Sequence, residues 1–236
     1  MKIAVVYGAM HKGSTYHCVR LLIQGLSACT PVTETEFFLP QDMPHFCVGC
    51  FSCFLNGEQT CPHSGEMKPI ADAFDDAELI ILASPVYVFD VSGQMKALLD
   101  HFGYRWMPHR PSPGMFGKLG LVVSTAAGAG TRRANKTMKQ SLVFCGAKRV
   151  FSYGKSVGAM SWDEVKPAQK QKIERETAAL ARRIAADYRK IGRLRPRIFT
   201  KFLFMAMQKA QKGNSWNETD RSHWAAQGWL DGKKPW

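Results

Sequence analysis

Three short apolar runs constrain most strongly how this chain folds. They read KIAVVY at Lys2–Tyr7, LIILA at residues 79–83 and LGLVVS at residues 119–124. A strand whose residues are apolar without alternation is buried on both faces, as in a parallel sheet covered by helices. Because stretches with helical spacing separate these runs, the sequence predicts an α/β fold.

Weaker signals complete the sheet. Residues 32–38 and 149–153 predict two further strands, and helices are predicted at residues 16–28, 67–74, 94–102, 131–144 and 164–191. Five strands joined by right-handed crossovers fit a doubly wound, flavodoxin-like parallel sheet of order 2-1-3-4-5. We expect residues 1–192 to form this domain. Residues 193–236 are expected to form a basic, aromatic-rich helical C-terminal extension, with its tryptophans holding it against the body.

Basic residues are concentrated in the last third of the chain. Residues 1–162 hold 15 lysines and arginines against 11 acidic side chains, whereas residues 163–236 hold 17 against 8. Such a surplus attracts nucleic acid, anionic lipid or dinucleotide phosphates. Because no nucleic-acid motif accompanies it, we interpret the surplus as a solvated helix face and expect no nucleic-acid partner.

Neither a signal peptide nor a membrane span is predicted. The N-terminal apolar stretch is too short for the hydrophobic region of a signal peptide. No run of about 18 apolar residues occurs anywhere in the chain. We therefore expect a cytoplasmic protein, in a compartment where stable disulfides are rare. The seven cysteines then point to metal, redox or core roles.

The loop after the first strand has the composition of an anion site. It reads GAMHKGSTY over residues 8–16 and leads into a predicted helix. Gly13 allows close backbone approach, and Ser14 and Thr15 offer hydroxyls. The start of the helix adds free N–H groups and the positive end of a dipole, so we predict a phosphate site. The alternative is an ordinary loop in which Ser14 caps the helix.

Two further loops are expected at the same edge, because the carboxyl ends of parallel strands lie together. Residues 84–90, SPVYVFD, follow the third strand and offer Tyr87 and Phe89 to a flat ligand. Residues 124–131, STAAGAGT, follow the fourth strand, and their small side chains let backbone amides approach a planar polar ring. The alternatives are core aromatics in the first loop and a flexible turn in the second.

Four cysteines follow the second predicted strand in a C-x2-C-x2-C-x7-C run. They are Cys47, Cys50, Cys53 and Cys61. Spacings of two let one loop supply three corners of an iron–sulfur cluster, and a fourth cysteine nearby closes it. The same run is compatible with zinc, with redox-active thiols or with buried thiols.

Taken together, these motifs resemble those of the NAD(P)H-dependent FMN reductase family of the flavodoxin-like superfamily and, within it, the iron–sulfur flavoprotein branch. The resemblance rests on the three loops, the cysteine run and Gln94-x-Lys96-x3-Asp100, which together span roughly residues 1–155. It implies non-covalently bound FMN. The implied phosphate site is His11, Lys12, Gly13, Ser14, Thr15 and Tyr16. The isoalloxazine ring is implied at Pro85, Val86, Tyr87 and Val88, and its pyrimidine edge at Thr125, Ala126, Ala127 and Gly128.

The resemblance also implies a metal site and an assembly. In the iron–sulfur flavoproteins a run of this type ligates a [4Fe–4S] cluster, which makes the four cysteines its candidate ligands here. Relatives generally form dimers or tetramers, so we expect a homo-oligomer, with residues 195–212 docking on a partner subunit and no membrane contact. The first loop has Ala9 and His11 where the family has Ser-x-Arg. A weaker or pH-dependent hold on the phosphate is therefore expected.

The implied function is an FMN-dependent oxidoreductase. It would pass electrons from NAD(P)H to a flavin, a quinone or another small or protein acceptor. No catalytic acid or base is assigned, because the flavin carries the chemistry. Lys96 and Asp100 are predicted to be a structural ion pair. Two alternatives stay open: a non-enzymatic FMN electron carrier, with or without a cluster, that partners ferredoxin, and a basic nucleic-acid or membrane adaptor without flavin.

Overall fold

A single parallel sheet forms the centre of the molecule. The computed structural model describes residues 1–236. The strands are β1 (Lys2–Tyr7), β2 (Thr33–Phe38), β3 (Leu79–Pro85), β4 (Leu119–Ala126) and β5 (Arg149–Ser156). All neighbouring pairs are parallel and their order is β2-β1-β3-β4-β5, which confirms the predicted flavodoxin-like topology.

Helices cover both faces of this sheet. Two helices, α1 (Ser14–Ser27) and α6 (Pro167–Arg189), pack on one face. The opposite face carries α3 (Ser64–Asp76), α4 (Gly93–His101) and α5 (Thr131–Phe144). A short helix, α2 (Ser52–Asn56), lies in the cysteine segment, and α7 (Ile198–Lys212) and α8 (Glu218–Ala226) end the chain.

The interior strand β1 shows why the apolar runs lack alternation. Ala4 and Val6 belong to a core of 24 buried residues on the α3–α4–α5 side. Ile3, Val5 and Tyr7 belong to a second core of 23 buried residues under α1 and α6. Since both faces of the strand are covered from residue 3 to residue 7, those five residues are apolar or aromatic and buried, whereas Lys2 at the start of the strand is exposed.

Several boundaries differ from the sequence prediction. Helix α6 begins at Pro167 rather than at residue 164, because proline lacks the N–H that goes unpaired at the first helical position. Strand β5 continues to Ser156, past the apolar residues, because it pairs with β4 as far as Ala126. The short helices α2 and α8 carry no strong periodicity and were not predicted.

The C-terminal residues fold back onto the segment between α4 and β4. Phe204 of α7 and Trp224 of α8 are fully buried, and they form a small third core with Met107, Phe116 and Trp229. Trp224 and Trp229, with Trp236 packed beside them, therefore hold the extension against the body as predicted, whereas Trp216 is 70% exposed and does not. The division at residues 192 and 193, and the expected homo-oligomer, stay predictions. None of the helices is long and apolar enough to span a membrane.

Candidate functional site

Where the first loop leaves β1, its backbone at Gly8 packs closely against the end of β3 and against Ser92. The Gly8 N–H donates to the Ala83 carbonyl at 2.7 Å. A Cβ at Gly8 would lie 2.7 Å from Ser92 Oγ and 3.0 Å from Ser84 Oγ, which is closer than a side chain tolerates. The absence of a side chain at Gly8 therefore lets the first loop pass directly beside the end of β3.

Helix α1 begins without a cap. Its N-cap residue is Gly13, no side chain accepts a hydrogen bond there, and its first turn holds no acidic residue. Ser14 is the first helical residue, so the alternative in which Ser14 caps the helix is wrong. The N–H groups of the first turn are left for an external acceptor, and the positive end of the helix dipole faces the same way. An anion would complete this turn.

Two buried threonines join the first loop to the third. The hydroxyls of Thr15 and Thr125 are hydrogen-bonded at 2.6 Å. The Thr125 carbonyl accepts a hydrogen bond of 2.9 Å from the Val86 N–H of the second loop. The three predicted loops therefore meet around Thr125, at the carboxyl edge of the sheet.

Aromatic rings line the side of the first loop that faces β2. Tyr7 stacks on Phe38 with ring centroids 4.7 Å apart, and Tyr16 lies 5.3 Å from Tyr7. Burial and the hydrogen bond to Glu36 raise the pKa of Tyr7, so its hydroxyl stays protonated. The exposed Lys12 places Nζ 5.3 Å from the centroid of the Tyr16 ring, which puts a cation beside the loop.

The second loop adopts a conformation that is rare for residues with side chains. Val88 and Phe89 have φ values of 49° and 66°, and their side chains are 96% and 65% exposed. Beneath them, a Cβ at Gly130 would lie 2.6 Å from Val86 Cγ1 and 3.1 Å from Phe89 Cα. Left-handed backbone at such residues costs free energy and persists only where the surroundings enforce it. The loop thus holds apolar side chains out at the surface.

Asp90 anchors the end of this loop to α5. Its carboxylate accepts hydrogen bonds from Arg133 Nε at 2.9 Å and from Thr137 Oγ1 at 2.8 Å. Partial burial disfavours the charge, but these two donors and the Val91 N–H hold the pKa of Asp90 below its ordinary value. The carboxylate is therefore ionised and fixes the base of the loop.

The predicted FMN residues divide into three groups by exposure, and Gly13, Ser14, Tyr16, Pro85 and Val86 are half-buried. Thr15, Thr125 and Ala126 are buried at the meeting point of the loops. The exposed members are His11, Lys12, Tyr87, Val88, Ala127 and Gly128. Pro85 lines a small cavity with Gly13 and Tyr16, so the first and second loops share a surface. Buried residues build the edge, and exposed residues are available to a ligand.

All four predicted metal ligands line one cavity. Positive φ values at Gly49 and Phe51 turn the segment back on itself, and α2 carries Cys53 into the same space. Burial raises the pKa of the Cys53 thiol to about 11, with smaller contributions from the other three cysteines. The four cysteines thus line one space, and a set of four thiols suits a soft metal centre.

Two histidines in this cavity were not predicted as site residues. His63 Nδ1 and His101 Nε2 lie 2.9 Å apart, and both rings line the cavity with the cysteines. His63 stands two residues after Cys61, which is a signal that the sequence offered. His101 is 38 residues further on and carries no local signal.

Arg110 links the cysteine segment to the C-terminal extension. Its guanidinium donates to the backbone carbonyls of Cys53 and Phe54 and, at 2.6 Å, to Asp220 Oδ1. The Asp220 side chain is fully buried and also contacts His109 Nδ1 at 2.7 Å. Because 110 residues separate Arg110 from Asp220, the pair was not visible in the sequence.

Comparison with protein families gives a match over two thirds of the chain. A family model described as "NADPH-dependent FMN reductase" matches residues 1–159. These residues contain β1 to β5, all three loops and the cysteine segment.

Curated relatives match over shorter stretches. An iron-sulfur flavoprotein of Archaeoglobus fulgidus is 34% identical over 86 residues, which is 36% of this chain and 36% of that protein. One of Methanocaldococcus jannaschii is 32% identical over 129 residues, which is 54% of this chain and 63% of that protein. The chain therefore spans less than two thirds of the length of these relatives.

Solved structures share the fold at low sequence identity. A flavone reductase superposes with a TM-score of 0.61 and 15% identity, covering 84% of this chain and 66% of that one. An FMN-dependent NADH-azoreductase of Bacillus anthracis, solved in complex with FMN, gives 0.56 and 14%, covering 78% of this chain and all of that one. At these identities the likeness concerns the fold alone.

Proposed function

Because the chain belongs to the NADPH-dependent FMN reductase family, we propose that it binds FMN and acts as an NAD(P)H-dependent oxidoreductase. One observation carries the proposal. Thr125 is hydrogen-bonded both to Thr15 of the first loop and to Val86 of the second, beside an α1 N-terminus that lacks a cap. Three loops at the carboxyl edge of a doubly wound sheet form the usual ligand crevice of that fold.

Each loop then has a distinct role. The first-turn N–H groups of α1, with His11 and Lys12, bind the phosphate of FMN. Residues 85–88 lie along the isoalloxazine ring, and the exposed Tyr87 offers it an aromatic face. Residues 125–128 bring backbone groups to the pyrimidine edge. The cytoplasm is the proposed location.

The bound flavin supplies the redox chemistry, accepting hydride from NAD(P)H and passing electrons to an acceptor. The protein residues bind and orient it. Asp90 and Gly130 fix the second loop, and the protonated Tyr7 adds no charge to the site. The proposed acceptors are a flavin, a quinone or another small molecule or protein.

Two measurements test this function. FMN titration followed by flavin fluorescence should show one FMN per chain. Oxidation of NADH and NADPH should then be followed with free FMN, a quinone and ferricyanide as acceptors. Turnover with any of them supports the enzyme; no FMN binding overturns the proposal. FMN binding without turnover identifies a non-enzymatic electron carrier, although a net charge of +13 is unlike the usual acidic carrier.

A second candidate concerns the cysteine cavity. The names of the two relatives and the shared cavity of Cys47, Cys50, Cys53 and Cys61 favour a [4Fe–4S] cluster as an additional redox centre. Anaerobic purification tests it. Brown protein with acid-labile sulfide, lost in Cys50→Ser, supports the cluster. Colourless or purely yellow protein without sulfide rejects it.

A further inference from the structure

Three side chains with metal-binding atoms converge away from the three loops. Cys61 Sγ and one ring nitrogen each of His63 and His101 all lie within 4.8 Å of one another. Cys61 and His63 are partly exposed and His101 is buried. A mononuclear ion needs ligand atoms that meet at a point, whereas a four-iron cluster holds its thiolates apart at separate corners. The Cys61, His63 and His101 ligand atoms have the convergent geometry that a mononuclear ion needs.

His101 is already oriented as a ligand. Its Nδ1 lies 2.8 Å from the Ala97 carbonyl, an acceptor, so Nδ1 carries the proton. Nε2 therefore presents a lone pair toward His63, at 2.9 Å. A backbone carbonyl on the outer ring nitrogen is the arrangement that commonly fixes the tautomer of a metal-bound histidine. His101 is 5% exposed, so packing holds the ring in place.

His63 completes the arrangement with a second ring behind it. It donates from Nδ1 to His101 Nε2 and stacks on His45 with centroids 4.4 Å apart. His45 Nε2 in turn lies 3.5 Å from Glu66 Oε1. One proton lies between His63 Nδ1 and His101 Nε2. When Nδ1 gives up that proton, both nitrogens direct lone pairs into the same space, and a cation can bind there.

We propose that Cys61, His63 and His101 bind one mononuclear transition-metal ion of the Zn²⁺ class. One thiolate and two imidazoles suit Zn²⁺, which binds such ligands in tetrahedral sites. On binding, the Cys61 thiol loses its proton to solvent. The His63 proton moves from Nδ1 to Nε2, which leaves the ring neutral. The cavity is open to solvent, so water takes the fourth position.

This site and the [4Fe–4S] site exclude each other. Both need Cys61, and one thiolate cannot close the cluster while it is bound to a separate ion. The inference is independent of the FMN site, because none of its ligands lies on the three loops. Loss of zinc binding and loss of FMN binding are therefore distinguishable outcomes.

The test uses FMN-loaded protein that has been treated with a chelator under anaerobic conditions. Co²⁺ is titrated first, because a tetrahedral thiolate site gives intense visible absorption, and Zn²⁺ is then added to displace it. The variants are Cys61→Ser, His63→Gln and His101→Gln. Cys47→Ser and Cys50→Ser are matched controls, since they alter the same cavity without touching the three ligands. Flavin fluorescence verifies that each variant is folded.

We expect one ion per chain in the wild type and in both control variants. Loss of a ligand should weaken Zn²⁺ binding by more than the roughly 10–100-fold that loss of an outer partner costs. His63→Gln is decisive if the buried His101→Gln does not fold. The proposal is overturned if the wild type binds no ion, if His63→Gln binds normally, or if Cys47→Ser and Cys50→Ser lose the ion equally.

Discussion

The side-chain hydroxyls of Thr15 and Thr125 are hydrogen-bonded at 2.6 Å although 110 positions separate them in the sequence. Thr15 lies in the first turn of α1 and Thr125 near the end of β4, and both are buried. No other side-chain hydrogen bond joins the first and third loops. This bond therefore ties the first loop to the third beside the proposed FMN crevice.

Thr125→Val should weaken FMN binding and lower the free energy of unfolding. The change leaves the Thr15 hydroxyl buried without a partner, at a cost of about 1–3 kcal/mol. Thr15→Val with Thr125→Val should cost less than the sum of the single changes, because neither hydroxyl is then stranded. Urea unfolding and FMN titration measure both effects. The control is Thr35→Val at an exposed position of the edge strand β2; equal effects at the two sites would contradict the prediction.

Gly130→Ala should displace the second loop. The glycine has a φ of 106°, and an added Cβ would meet Val86 Cγ1 at 2.6 Å. We expect a loss of unfolding free energy above about 1 kcal/mol together with weaker FMN binding. Gly117→Ala is the control, since its Cβ would meet nothing within 4 Å. If the two variants bind FMN equally, Gly130 does not hold the loop.

Asp90→Asn should destabilise the protein in a pH-dependent way. Because the folded-state pKa of Asp90 is lowered, its stabilising effect is present above the ordinary value of about 3.9 and is lost as the pH falls through the lowered pKa. We expect a difference of about 1 kcal/mol in unfolding free energy at pH 7, since Arg133 is largely exposed. Urea unfolding of both proteins at pH 7 and near pH 3 measures it. A difference that persists undiminished in acid would refute this role.

Asp220→Asn should lower the free energy of unfolding far more than a substitution at the surface does. It removes the charge that partners the buried Arg110, and breaking such a pair costs about 3–5 kcal/mol. The control is Asp100→Asn, which breaks the exposed Lys96–Asp100 ion pair that the sequence predicted. That pair should contribute no more than about 0.5 kcal/mol. Denaturant unfolding compares them, and similar losses would show that the Arg110–Asp220 pair is not structural.

The sequence indicated the sheet because hydrophobic burial is repetitive. A strand covered on both faces is apolar throughout, and IAVVY at residues 3–7 carries that requirement in five adjacent residues. The three loops followed from the same reasoning, since parallel strands end at one edge. Local signals were also enough to place the four cysteines in one segment.

Contacts between distant positions were beyond sequence reasoning. His101 reaches Cys61 and His63 only because α4 packs beside the start of α3, and nothing near His101 in the sequence marks it as a ligand. Arg110 and Asp220 form their ion pair only because α8 folds back onto the segment that contains Arg110. Val88 and Phe89 adopt left-handed backbone conformations, and because neither is a glycine the sequence did not indicate this turn.

By itself the sequence determined the strand order, the edge at which the three loops gather and the chemical character of each loop. These properties depend on local composition and on the fixed handedness of parallel crossovers. Only the tertiary structure decided which groups meet: Thr15 with Thr125, and His101 with the cysteine segment. The reason is physical, because a hydrogen bond or a metal ligand set depends on distances of a few ångströms, which side-chain packing alone fixes.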